Sequence, residues 1–164
     1  MHIAELSSSK ILGQLFGDKL LTDHDIIFNG TVTPVHRAVL ICSSDFFRSL
    51  WCMGFADQND PTSDFSSLPV SDSNFESFLN YLYGQPLTIL PDNCYHFLYL
   101  ARYFQVQSLS SFVDTLLETN SNFVWTSAIV SGADKCNDFA SLCRIFSSLL
   151  SNSTTSRLPS IHHY

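Results

Sequence analysis

The sequence predicts an α+β domain: a small three-stranded sheet packed among five or more helices and followed by a further helical pair. Three observations carry this expectation. Asn29-Gly30 stands between two short apolar segments, which is the mark of a two-residue hairpin. Several later segments repeat their apolar residues at i, i+3, i+4 and i+7, the spacing of a helix with one buried stripe. Hydrophobic residues make up 45% of the 164 positions and include 14 Phe, enough to fill one core.

Taken in order, residues 6–16 form a short amphipathic helix with Leu12, Leu15 and Phe16 at helical spacing behind a Ser7-Ser8-Ser9 cap. Asp25-Ile26-Ile27-Phe28 and Thr31-Val32-Thr33-Pro34-Val35 are the hairpin strands, because Asn-Gly tolerates the positive φ angles of the turn between them. Ala38 to Ile41 make a short apolar helix, and Ser43-Ser44 caps a second one reaching Leu50. Residues 57–64 are polar, contain Pro61 and lack a period, so they read as a loop, and Phe65 to Val70 as the third strand.

Ser73-Asn74-Phe75-Glu76 has capping-box spacing ahead of Phe75, Phe78, Leu79 and Leu82, with Gly84 positioned to close that helix in a left-handed conformation. Gln85 to Leu90 is an extended link between Pro86 and Pro91. Asp92 caps a helix through Phe104, and Ser108 caps the next, which carries Leu109, Phe112, Val113, Leu116 and Leu117 to a close near Glu118. Phe123 to Val130 and Phe139 to Leu150 make the helical pair. The Ser- and Thr-rich stretch 151–164 lacks apolar periodicity and reads as a disordered tail.

Charge excludes several classes of function. The chain carries 15 acids against 8 bases, a net charge of −7, and no Lys or Arg lies between Arg48 and Arg102. Nucleic-acid binding needs clustered bases to displace counterions, so no nucleic-acid partner is expected. No run of about 18 apolar residues offers a membrane span, and Met1-His2-Ile3-Ala4-Glu5 lacks the basic start of a secretory signal, so the expectation is a soluble, unsecreted chain without a membrane partner. Cys42, Cys52, Cys94, Cys136 and Cys143 form no Cys-x-x-Cys pair; Cys42, Cys94 and Cys143 sit in apolar segments and read as reduced core thiols of a cytoplasmic or nuclear protein.

Enzyme signatures are missing from the sequence: no Gly-x-Ser-x-Gly elbow, no phosphate-cradling Gly loop with a following Lys, no His-Glu-x-x-His and no paired His/Cys spacing. No catalytic site, cofactor or metal is expected. His162-His163 lies in the tail, where any metal it took up would be incidental.

Three segments spell something more specific: Asp25-Ile26-Ile27-Phe28, Val35-His36-Arg37-Ala38-Val39-Leu40 and Cys42-Ser43-Ser44-Asp45-Phe46-Phe47-Arg48. With Phe78 to Gly84 and Ala101 to Leu109, they resemble in order the BTB/POZ domain over roughly residues 10–118. The Tyr83-Gly84 end lacks the Thr that the family places between these two residues. The trailing pair resembles the start of a BACK-type extension. The resemblance implies four segments: an N-terminal helix and linker over 1–24, a BTB/POZ core over 25–118, a BACK-like pair over 119–150 and the tail.

It also implies a non-enzymatic interaction module. Dimer contacts would come from Ile11, Leu12, Leu15 and Phe16, making a homodimer. Asp25 and Arg37 would form a charged pocket at the floor of the dimer groove, or else a structural ion pair locking hairpin to helix. His36 would be a packed, hydrogen-bonded residue. Phe55, Asp57 and Tyr83 match the surface where cullin-binding members dock their scaffold, with Asp57 in place of the family's Glu; the plainer readings are a loop Phe tucked into its own core and a Tyr packed at a helix end with its hydroxyl in water. Two functions stay open: a homodimerising adaptor that recruits a cullin-RING ubiquitin ligase scaffold for an unknown substrate protein, and a stand-alone oligomerisation scaffold holding a peptide without ligase linkage.

Overall fold

A computed structural model describes residues 8–53, 60–90 and 92–119. The elements are α1 (Ser8–Asp18), β1 (His24–Phe28), β2 (Thr31–Val35), α2 (Arg37–Ser43), α3 (Asp45–Cys52), β3 (Thr62–Asp64), α4 (Asp72–Leu82), α5 (Cys94–Tyr103) and α6 (Gln107–Thr119). They form the α+β architecture expected, a three-stranded sheet among helices, in strand order β2-β1-β3. The expected helical pair and tail lie outside the described residues.

The hairpin forms as its turn dictates. Asn29 and Gly30 take φ of 47° and 81°, the left-handed pair that a two-residue turn needs between right-twisted strands. Central strand β1 runs antiparallel to β2, with His24 opposite Val35 and Phe28 opposite Thr31, and parallel to β3, with Asp25 opposite Thr62. The Asp25 N–H donates to the Pro61 carbonyl and the Ile27 carbonyl accepts from Phe65, so these two residues turn their backbone toward β3. Their partners Val32 and Pro34 therefore face away from the sheet, and the missing N–H of Pro34 costs no ladder bond.

The third strand is shorter and earlier than the apolar pattern suggests. Thr62-Ser63-Asp64 pairs with β1, whereas Phe65 to Val70 turns away, because Asp64 accepts from the Ser66 amide and hydroxyl and bends the chain there. Phe65, Leu68 and Val70 are nevertheless buried.

Three helix starts also shift. Ser71 rather than Ser73 caps α4, accepting from the Asn74 amide, so Ser73 and Glu76 form no capping box. The residue before α5 is Asn93, not Asp92; its amide group turns back to accept from Leu90 N–H and donate to the Thr88 carbonyl. Helix α6 already includes Ser108. Ser44 does cap α3: its hydroxyl accepts from the Phe47 amide and donates to the Phe104 carbonyl, tying α3 to the end of α5. Gly84 closes the α4 end at φ 79°, as its place predicts.

The core is built around Phe104, whose ring is fully buried and lies 5.1–5.3 Å from those of Phe46, Phe47, Phe65 and Phe78. Two expected core residues are not in it. Leu109 and Val113 define the buried line of α6 and leave Phe112 57% exposed, and α2 buries Leu40 while Cys42 faces out. Cys94 is buried, and its apolar surroundings push the thiol up to about 11, so it stays an unreactive SH.

Candidate interaction surface

Helix α1 rests on the body of the domain through one face. Leu12, Leu15 and Phe16 are half-buried, with the Phe16 ring 4.5 Å from that of Tyr83. Gly13 lies against the Gln85 side-chain amide, which a Cβ there would meet at 1.7 Å and have to push aside. Beneath the helix, Leu12, Cys42, Tyr81, Gly84, Val106 and Ser108 line a groove of about 400 Å³. The opposite face is bare: Ile11 is 62% exposed.

The chain leaving α1 is held in a conformation that side chains disfavour. Lys19 and Leu21 take φ of 52° and 60°, a region costing about 1–2 kcal/mol for a residue with a Cβ. Leu21 is nevertheless 91% exposed and its neighbour Leu20 62% exposed. The anchor of this turn is His36, whose Nε2 meets the Leu20 carbonyl while Nδ1 lies 2.9 Å from the Tyr83 hydroxyl. The His36 backbone N–H also donates to that hydroxyl at 2.8 Å. An oxygen accepting from the amide has its own proton left for Nδ1, so the ring carries its hydrogen on Nε2 and gives it to Leu20. Burial, opposed by the His36 amide bond and aided by the Asp23 charge, raises the phenol above 10 and keeps that proton in place.

Tyr83 is thus corrected. Its side chain is fully buried, so it holds His36 and carries Phe16 rather than offering a ring or a hydroxyl to a docking partner.

The charged pocket is corrected as well. Arg37 pairs with Asp23, not Asp25: Nε lies 3.1 Å from Oδ2, and the Arg37 amide donates to Oδ1 at 2.8 Å. Burial alone would raise the Asp23 carboxyl, but the Arg37 hydrogen bonds and charge outweigh it and hold it below its ordinary value. The carboxylate both caps α2 and clamps it to β1, which is the structural reading of the pair. Register is the cause: with His24 opposite Val35, the residue two beyond Val35 lies nearer to position 23 than to position 25.

Phe55 and Asp57 lie outside the described residues. The acids that follow them in the chain, Asp60, Asp64, Asp72 and Glu76, are exposed. Among the described residues no three His, Cys, Asp or Glu side chains are grouped to hold a metal ion, and no helix is long and apolar enough to cross a membrane. Sequence reasoning missed Leu20 and Leu21; their one signal is an adjacent pair of leucines between Lys19 and Thr22, where no period calls for apolar residues.

The family model of the BTB/POZ domain matches residues 12–121. The chain belongs to the BTB/POZ domain family. It is 30% identical over 125 residues to the human Kelch repeat and BTB domain-containing protein 3, covering 74% of this chain and 20% of that one. It is 35% identical over 74 residues to mouse BTB/POZ domain-containing protein 7, covering 45% and 6%. This BTB chain therefore spans about a fifth or less of the length of these curated relatives. Among solved structures the BTB domain of zebrafish PATZ1 matches with a TM-score of 0.58 and 16% identity, covering 73% of this chain and all of that domain. BTB/POZ domains are non-catalytic modules for protein–protein interaction and oligomerisation, which is the role of this one.

Proposed function

We propose that this BTB domain forms a homodimer through the outer face of α1 and the Leu20-Leu21 turn, and that the dimer works as an adaptor. One observation carries the proposal: Ile11, Leu20 and Leu21 present apolar side chains to water around a helix whose other face is already seated, and Leu21 does so from a disfavoured backbone conformation. Covering apolar surface yields about 25 cal/mol per Å² before the costs of association.

Ile11→Asp with Leu21→Asp is the test, because both positions are exposed and the fold tolerates the change. Sedimentation equilibrium should find a dimer for the unaltered chain and a monomer for the double variant. A carboxylate left unpaired in an apolar contact costs about 3 kcal/mol, on the order of a hundredfold in Kd. An unaltered chain that stays monomeric at high concentration would refute the dimer.

The adaptor reading adds a cullin scaffold docked through Phe55 and Asp57, with an unknown substrate protein brought near the ligase by raised effective concentration. A second reading, a stand-alone scaffold without ligase linkage, gains from the burial of Tyr83, which removes one of three docking residues. Phe55→Ala separates the two. It abolishes capture of a purified cullin N-terminal domain if the adaptor reading holds, and the absence of any capture by the unaltered chain leaves the stand-alone scaffold.

A further inference from the structure

His24 opens β1 with only 4% of its surface exposed. Its Nε2 lies 2.9 Å from the Ser63 hydroxyl of β3, and its ring stands edge-on to Trp51 of α3 at 4.9 Å between centroids. Nδ1 is buried with no hydrogen-bond partner. A neutral ring tolerates this by leaving a lone pair unpaired, whereas protonation would place a new N–H there with nothing to receive it.

The surrounding charges offer the cation somewhere else to go. Asp23 precedes it just before β1, Asp25 follows it on β1, Asp60 precedes β3, and Arg37 begins α2; the groups in direct reach on β2, α3 and β3, namely Val35, Trp51 and Ser63, are uncharged.

We propose that His24 is an acid-released latch: neutral, it joins the end of α3 to β3 through Trp51 and Ser63, and protonated, it leaves that seat for the carboxylates beside it and frees both elements while the rest of the fold stays intact. Burial, then the Arg37 charge, press the imidazole below its ordinary 6.5, against the pull of Asp23, Asp60 and Asp25. With the folded-state value below the unfolded one, the neutral ring stabilises the corner above 6.5, and that contribution is lost as pH falls through the folded value. Phe65, whose amide bonds the Ile27 carbonyl, follows the freed strand and stays anchored by its buried ring.

The experiment uses the full chain with Trp125→Phe, which leaves Trp51 as the reporter, titrated from about pH 8 to about pH 5. Trp51 emission should shift to the red and fall reversibly, with a midpoint matching that of the His24 imidazole resonance in the same chain and lying below 6.5, while far-ultraviolet circular dichroism holds constant. His24→Gln, which keeps a side-chain amide for Ser63, should abolish the transition. The proposal is overturned by flat Trp51 emission, by a shift that survives in His24→Gln, or by loss of helical signal with the same midpoint. Should His24→Gln fail to fold, the match between the emission and imidazole midpoints decides alone: coincidence supports the latch and a mismatch overturns it.

Discussion

Phe104→Ala should cost about 3–5 kcal/mol and bring the domain to the edge of unfolding, since a domain of this kind has about 5–15 kcal/mol in all. The ring is fully buried and contacts aromatic residues from α3, from α4 and from the segment after β3. Truncation leaves a cavity walled by rigid rings that cannot collapse into it, so both the transfer and the cavity terms apply. The Phe104 carbonyl, held by the Ser44 hydroxyl, remains, so the helix ends stay tied and the loss is one of packing. Urea unfolding should show a midpoint shifted down with an unchanged slope, and Phe104→Leu should recover most of the difference. A loss under about 1 kcal/mol would mean that the aromatic cluster is not the centre of the core.

Tyr83→Phe should cost about 1–3 kcal/mol although only an oxygen is removed. That oxygen serves two partners, the His36 amide and His36 Nδ1, and the site is closed to water that might replace it. Both are left unsatisfied, and the His36 ring loses the bond that fixes its tautomer. Hydrogen exchange at the His36 amide should quicken along with the drop in urea midpoint, while the tilted Phe16 contact, which needs only the ring, persists. A variant as stable as the parent would show that the hydroxyl is dispensable and that the Leu20 turn is held by other means.

These interactions differ in how legible they are in the sequence. The hairpin reads directly because Asn29-Gly30 is a local instruction, and the α4 stripe of Phe75, Phe78, Leu79 and Leu82 because burial follows helical spacing. Strand β3 is invisible to such reasoning: Thr62-Ser63-Asp64 joins the sheet by backbone bonds at an edge, whereas the apolar stretch after it serves the core as turns. Cap positions slip by one or two residues because Ser71, Asp72 and Ser73 are all able to cap, and only the helix's own packing selects among them. The choice of Asp23 over Asp25 rests on strand register, a relation between residues far apart in the chain that no local spacing encodes. The bond between His36 and Tyr83 spans 47 positions and is likewise tertiary in origin.

Pro34 on the outer strand has an effect at the scale of many molecules. Of the two residues that β2 turns outward, Val32 has a donor to offer and Pro34 has none. A foreign strand laid along this margin finds a single amide where two would be needed to start a ladder, so recruitment of neighbours by sheet extension stalls at its first step. On this side of the sheet, crowded copies are left with side-chain contacts as their means of adhering, and such contacts do not pass a backbone ladder from one copy to the next.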